Sequence, residues 1–211
     1  IVDFQTGVTL FEKNADERMP PSSMSKIMTA YMVFKEIKEG RLSLQDEFAG
    51  SERAWRIQGS KMFVPLGGRV EVGDLLRGMF VQSGNDACVV LAEGIAGSEE
   101  AFAERMNQEA KRLGMTGNNF RNASGWPDPE HYMTTRDLAT LAFHVVRDFP
   151  EYYKIYSEKE FTYGTDEKGT PIRQGNRNPL LYKNTGADGI KTGHTEAAGY
   201  GLTASAVPEG R

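Results

Sequence analysis

The sequence predicts an α+β chain, an antiparallel sheet flanked by helices with an all-helical region alongside. Strand-like segments stand at both ends, in residues 1–12 and again at 160–164, 170–174 and 190–207. The long middle shows apolar residues at helical spacing, punctuated by glycine and proline. No internal repeat or low-complexity tract points to an array or a solenoid. The two ends are expected to pair in one sheet.

The elements follow in order. "IVDFQTGVTLFEKNAD" reads as strand, turn, strand, with Val8, Leu10 and Phe11 as strand residues. In "PPSSMSKIMTAYMVF" the prolines suit an extended lead-in, and Ser22 or Ser23 suits a helix start. Met24, Ile27, Met28, Tyr31, Phe34 and Ile37 then recur on one face, predicting a helix over about 23–39 that stops at Gly40. Residues 44–73 are loop-rich, with little periodicity. "VGDLLRGMFVQSGNDACVVLAEGIAG" reads as two helices meeting at Ser83–Gly84–Asn85. Another helix has Ser98 as cap, Glu99 and Glu100 in its first turn and a stripe of Phe102, Met106, Ala110 and Leu113; Lys111 and Arg112 precede the stop at Gly114. A further one starts near Thr134 or Thr135 and carries Leu138, Leu141, Ala142, Val145 and Val146 to Pro150. Residues 1–211 are expected to form a single domain, with a sheet-containing part at about 1–45 and 155–211 and a helical part at about 46–154.

Composition narrows the function. The 211 residues, 39% hydrophobic and 26% charged, are ordinary for a globular protein and suffice for a substantial core. A net charge of −4 without a Lys/Arg-rich run gives no general attraction to nucleic acid. No apolar stretch reaches transmembrane length, and no signal peptide is visible. The single cysteine, Cys88, rules out an internal disulfide or a CxxC site. Its neighbours Ala87, Val89 and Val90 make it a buried small apolar residue. His131, His144 and His194 lack metal-ligand spacing, so neither a metal nor another cofactor is expected.

Ser23 and Lys26, at i and i+3, are neighbours on one face of a first helical turn. Alone they read as an N-cap serine beside a solvated lysine. Two further short motifs change that: Ser83-Gly84-Asn85 and Lys191-Thr192-Gly193. Each is weak alone, but in this order they match the S-x-x-K, S-D-N and K-T-G set of class A β-lactamases and penicillin-binding proteins, with Gly84 in place of the aspartate. The blocks "NADERMPPSSMSKIMTAYMVF", "MFVQSGNDACVVLAEGIAGS", "FAERMNQEAKRLGMT", "HYMTTRDLATLAFHVVRDFPEYYKIYS", "NRNPLLY" and "ADGIKTGHTEAAGYGLTASAV" extend the likeness over nearly the whole chain. The sequence resembles the low-molecular-mass penicillin-binding proteins, the serine-type D-alanyl-D-alanine carboxypeptidase family.

The resemblance implies the penicilloyl-serine transferase (β-lactamase/transpeptidase-like) fold and a catalytic domain that removes the terminal D-alanine from peptidoglycan stem pentapeptides through an acyl-enzyme. It also implies acylation by β-lactam antibiotics and a periplasmic or extracytoplasmic location. The chemistry follows from the residues. Serine is a poor nucleophile until a base takes its proton, and Lys26 is in reach. A free lysine is too protonated near neutral pH, but burial and a second cation lower its pKa; Lys191 is the candidate cation. By the resemblance, the backbone N–H groups of Ser23 and His194 form the oxyanion hole, Ser83 relays a proton to the leaving amine and Asn85 holds Lys26 and the substrate amide. A helix cap is the other reading of Asn85. Thr192 and Lys191 would bind the substrate carboxylate beside Gly193, with Arg177 as a further carboxylate ligand; for the His194 side chain, orienting its strand is the other reading. For Trp126 in "SGWPDPEHY", packing outweighs stacking on a ligand.

Rival readings are a D,D-endopeptidase, a class A-like β-lactamase and a non-catalytic penicillin-binding sensor. The lactamase reading lacks its E-x-x-L-N loop, since Glu130 in "EHYMT" does not carry the pattern. In the family another long strand follows "GLTASAV", then a small β-rich domain and an amphipathic membrane anchor. This chain stops at "PEGR" and looks clipped at its start, so a trimmed chain with an unpaired strand edge at about 199–207 is expected.

Overall fold

A computed structural model describes residues 1–207; the turn expected at 208–211 lies outside the described residues. A 3-10 turn, Ser22–Ser25, opens directly into helix α1 (Lys26–Lys38). There follow β1 (Glu47–Ala49), α2 (Glu52–Arg56), β2 (Arg69–Glu71), α3 (Val72–Val81), α4 (Asn85–Ala96), α5 (Glu99–Arg112) and α6 (Thr135–Asp148). The chain closes with β3 (Glu160–Thr165), β4 (Pro171–Gly175), β5 (Ala187–Thr195) and β6 (Gly199–Ala206).

Helix α1 is the axis of the core. Its sequence is apolar around the whole circumference, which a helix tolerates only when enclosed. Every residue from Lys26 to Phe34 is buried, with α3, α4, α5 and α6 packed around it. Helix α4 is buried from Asn85 to Ala92 for the same reason. The caps read from the sequence form: Ser98 accepts from the Ala101 N–H at 3.1 Å and Thr134 from the Asp137 N–H at 3.1 Å. Beyond α6, Phe149, Tyr152 and Tyr156 pack on Phe34, and Tyr156 also meets Phe80 of α3.

Three expectations change. Residues 44–73 hold the β1–β2 ladder and α2, elements too short to show a period. Among the described residues the strands form three separate two-stranded antiparallel pairs, β1–β2, β3–β4 and β5–β6, in place of one sheet. Among the same residues the two ends do not pair, because residues 1–12 form backbone bonds among themselves. Val2 bridges Thr9, the Ile1 amine donates to the Phe11 carbonyl at 2.6 Å, and the Gly7 N–H returns to the Asp3 carbonyl. Val8, Leu10 and Phe11 remain exposed, while Phe4 rests on Phe143 of α6. Among the described residues β6 pairs with β5 alone, as the open edge predicted.

Strand β5 lies against the 3-10 turn. A Cβ at Gly193 would come within 3.0 Å of the Pro21 carbonyl oxygen and 3.2 Å of Ser22 Cβ, so any side chain there would push the turn away by a few tenths of an ångström. Ser22 Oγ stands 3.3 Å from Thr195 Oγ1, fixing the register of strand against turn.

Candidate active site

The nucleophile candidate sits on the turn and its base candidate on the first residue of α1. Ser23 does not cap the helix: neither the turn nor α1 has a side-chain cap. Its Oγ instead accepts from Lys26 Nζ at 2.8 Å. Lys26 is wholly buried, contrary to the solvated reading, and also donates to Asn85 Oδ1 at 2.8 Å and to the Ser124 carbonyl at 2.7 Å. These acceptors use all three donors of an ammonium. Burial nevertheless lowers Lys26 from its ordinary value to about 8, Arg177 adds to the effect, and Cys88 and Asp86 oppose it.

The Ser83–Gly84–Asn85 turn supplies the second wall. Helix α4 starts at Asn85 itself, and the Asn85 side chain does not cap it. That amide spans the cleft, accepting from Lys26 and donating from Nδ2 to the Gln58 carbonyl at 2.8 Å; the Asn85 N–H reaches the Ser60 carbonyl at 2.7 Å. Buried Asp86 accepts from the Met62 and Val64 N–H groups, both at 3.0 Å, anchoring the segment after Ser60. Ser83 is buried at φ +59° and Ser22 at φ +50°. Such left-handed backbone costs a non-glycine residue on the order of 1–3 kcal/mol. Both strained residues stand in turns beside Lys26 and its partners.

Strand β5 forms the third wall. Lys191 is buried, with its Nζ on the Thr192 carbonyl at 3.0 Å. Burial holds its pKa well below the ordinary value, and the charges of Lys26 and Arg177 push it further down. Repulsion between the two buried amines acts on both, and the charge of Lys26 is among the causes that hold Lys191 down. Lys26 has three acceptors for its charge, whereas Lys191 has one carbonyl. Thr192 is half-buried opposite Leu202. His194 is exposed and its ring packs on Tyr200, centroids 4.1 Å apart. Arg177 is exposed, donating from Nη1 to Ser60 Oγ at 2.8 Å.

Hydrogen bonds thus join Ser23, Lys26 and Asn85. Lys191 and Arg177 reach that group through charge, and Gly193 through packing on the turn. Sequence reasoning missed the carbonyls of Gln58, Ser60 and Ser124. The first two lie in the segment without periodicity. The third had a signal in "NASGW", where Asn122 Oδ1 accepts from the N–H groups of Ser124, Gly125 and Trp126. Gly125, at φ +80°, closes that turn against the catalytic one: a Cβ there would lie 1.8 Å from the Ser22 carbonyl oxygen. Half-exposed Trp126 packs over Gly59 beside Asn85. Among the described residues no group of three or more His, Cys, Asp or Glu stands close enough to hold a metal.

A hydroxyl held on a buried amine of lowered pKa, beside an amide and two further cations, suits acyl transfer from a carboxylate-bearing substrate. The comparisons agree with that chemistry. The family described as D-alanyl-D-alanine carboxypeptidase matches residues 1–211. D-alanyl-D-alanine carboxypeptidase DacA of Haemophilus influenzae is 44% identical over 98% of this chain and 52% of its own length. DacC of Escherichia coli is 43% identical with the same coverage. The crystal structure of DacD from Francisella tularensis superposes with a TM-score of 0.94 at 38% identity, over 99% of this chain and 62% of that one. Penicillin binding protein 5 from Haemophilus influenzae gives 0.91 at 44%, over 99% and 60%. The chain spans about half the length of the curated relatives it matches.

Proposed function

Since the chain belongs to the D-alanyl-D-alanine carboxypeptidase family, we infer that it carries the catalytic site of a serine D,D-carboxypeptidase acting on peptidoglycan stem peptides that end in D-Ala-D-Ala. Ser23 Oγ attacks the carbonyl carbon of the penultimate residue while the neutral Lys26 amine takes the hydroxyl proton. The carbonyl oxygen becomes an oxyanion, received by the N–H groups of Ser23 and His194. As the C–N bond breaks, the proton taken by Lys26 passes through the Ser83 hydroxyl to the departing D-alanine amine, leaving an ester on Ser23 that water hydrolyses. Asn85 holds Lys26 and the substrate amide, and Lys191, Thr192 and Arg177 bind the terminal carboxylate beside Gly193. A β-lactam carries a strained amide and a carboxylate in a similar relation and acylates the same serine.

The observation that carries the reading is the buried Lys26 amine, shared between Ser23 Oγ and Asn85 Oδ1, in a chain matched throughout by one peptidase family. A substrate in the cell wall supports a location on the extracytoplasmic side of the membrane. Among the described residues no helix is long and apolar enough to cross it, and we assign any anchoring to segments beyond these residues. The intact protein should release D-alanine from an acyl-D-Ala-D-Ala peptide, and Ser23→Ala should not. Release by Ser23→Ala, or cleavage only of cross-linked dimers, would refute the assignment.

A further inference from the structure

His131 is buried, titratable and unused by the mechanism above. It is 4% exposed and follows the turn that carries Ser124. The Arg121 N–H donates to its Nδ1 at 3.3 Å, so that nitrogen is unprotonated and Nε2–H points to Ser25 Oγ at 2.8 Å. Ser25 is wholly buried between Ser23 and Lys26. One neutral imidazole therefore clasps the nucleophile turn to the 121–125 segment, and that segment delivers the Ser124 carbonyl to Lys26 at 2.7 Å. A second clasp lies one helical turn along, where Thr29 Oγ1 donates to the Ala123 carbonyl at 2.6 Å.

We propose that His131 is a positioning residue for Lys26, holding the Ser124 carbonyl on the amine and water away from it through Ser25 and the Arg121 N–H. The proposal rests on the functional reading only in giving Lys26 the role of base. Burial is the first cause of the lowered Lys26 pKa, so a loosened 121–125 segment that admits water should return the amine toward an ordinary lysine. The charged and titratable groups that act on the pair are Asp128 and Arg121 at His131, and Asp86 and Cys88 on α4, Arg177, and Lys191 on β5 at Lys26. Burial lowers His131 itself to about 4, so its own titration stays outside the range in which Lys26 is read.

The test compares His131→Phe, His131→Asn and His131→Gln with the wild type in the intact protein. The Lys26 midpoint is read by NMR of its Cε methylene, and the rate of acylation by benzylpenicillin is followed across the same pH range. In His131→Phe the Lys26 midpoint should rise by about one pH unit, with acylation near neutrality falling about tenfold and its rising limb displaced equally. His131→Gln, whose amide reaches as far as Nε2, should recover most of both; His131→Asn, which reaches only the Arg121 N–H, should recover less. If His131→Phe does not fold, the order Gln above Asn carries the test. Unmoved Lys26 midpoints, or rates lowered equally at all pH values, would overturn the proposal. A Lys26 midpoint that moves in a protein no penicillin acylates would leave the positioning role standing and remove the function proposed for the site.

Discussion

At the scale of single residues, the central fact is that a lysine with three hydrogen-bond acceptors is still depressed to about 8, because burial outweighs them. Only the neutral amine can take the Ser23 proton, so acylation should rise with pH through a midpoint near 8 and level above it. Lys26→Ala should lower acylation by about 10²–10⁴-fold, the usual worth of a positioned base, while non-covalent binding persists. Repulsion between the two amines disfavours the charge on each, so Lys191→Ala should raise both the kcat/KM midpoint and KM for substrates with a free carboxylate. An unmoved midpoint in Lys191→Ala would remove it as a cause of the Lys26 shift. The same burial has a stability consequence. Between about 8 and 10.5 the unfolded chain holds a proton that folded Lys26 has released, so stability rises with pH across that window. Thermal melts of Lys26→Ala should lose part of that rise.

At the scale of elements, the site is a meeting of three short pieces on two core helices and one hairpin. The 58–60 strip joins two of its functions: the Gln58 and Ser60 carbonyls receive Asn85, and the Ser60 hydroxyl receives Arg177. Ser60→Ala should free Arg177 and raise KM about fivefold for a carboxylate substrate, the scale of one ordinary hydrogen bond of about 1 kcal/mol. Steady-state kinetics on matched carboxylate and amide peptides would check this, and an equal change for both would contradict it. How much of this was legible follows from the size of each element. Helices α1, α4, α5 and α6 run over three or more turns and showed their apolar periodicity, α5 and α6 also their caps, and the motifs at the starts of α1 and α4 marked Ser23, Lys26 and Asn85. β1, α2 and β2 are three to five residues each, too short for a period to repeat. The Gln58, Ser60 and Ser124 contributions come from main-chain carbonyls, which no side-chain pattern encodes. The separation of the two chain ends depends on local bonds within 1–12, which compete with any sheet.

At the scale of the whole molecule, the helical core and the strand-rich C-terminal quarter are joined by aromatic packing. Tyr156 sits fully buried where Phe34 of α1 and Phe80 of α3 meet the chain after α6, with ring centroids 6.3 and 4.1 Å away. Its hydroxyl finds no protein partner among the described residues. Tyr156→Phe should therefore keep the joint and raise stability by about 1 kcal/mol in denaturant unfolding; a loss of that size would reveal a hydrogen bond at this position. This joint sets the strand-rich quarter on the helices, and the approach of β5 to the 3-10 turn brings Lys191 to the site. The catalytic arrangement is thus a property of the entire fold, and its central claim is that Ser23 alone is activated. Peptide mapping after incubation with benzylpenicillin tests this most directly. A penicilloyl adduct on Ser23, forming with a midpoint near pH 8 and absent in Lys26→Ala, is the predicted result; an adduct on Ser22 or Ser25, or one that forms as fast without Lys26, would contradict it.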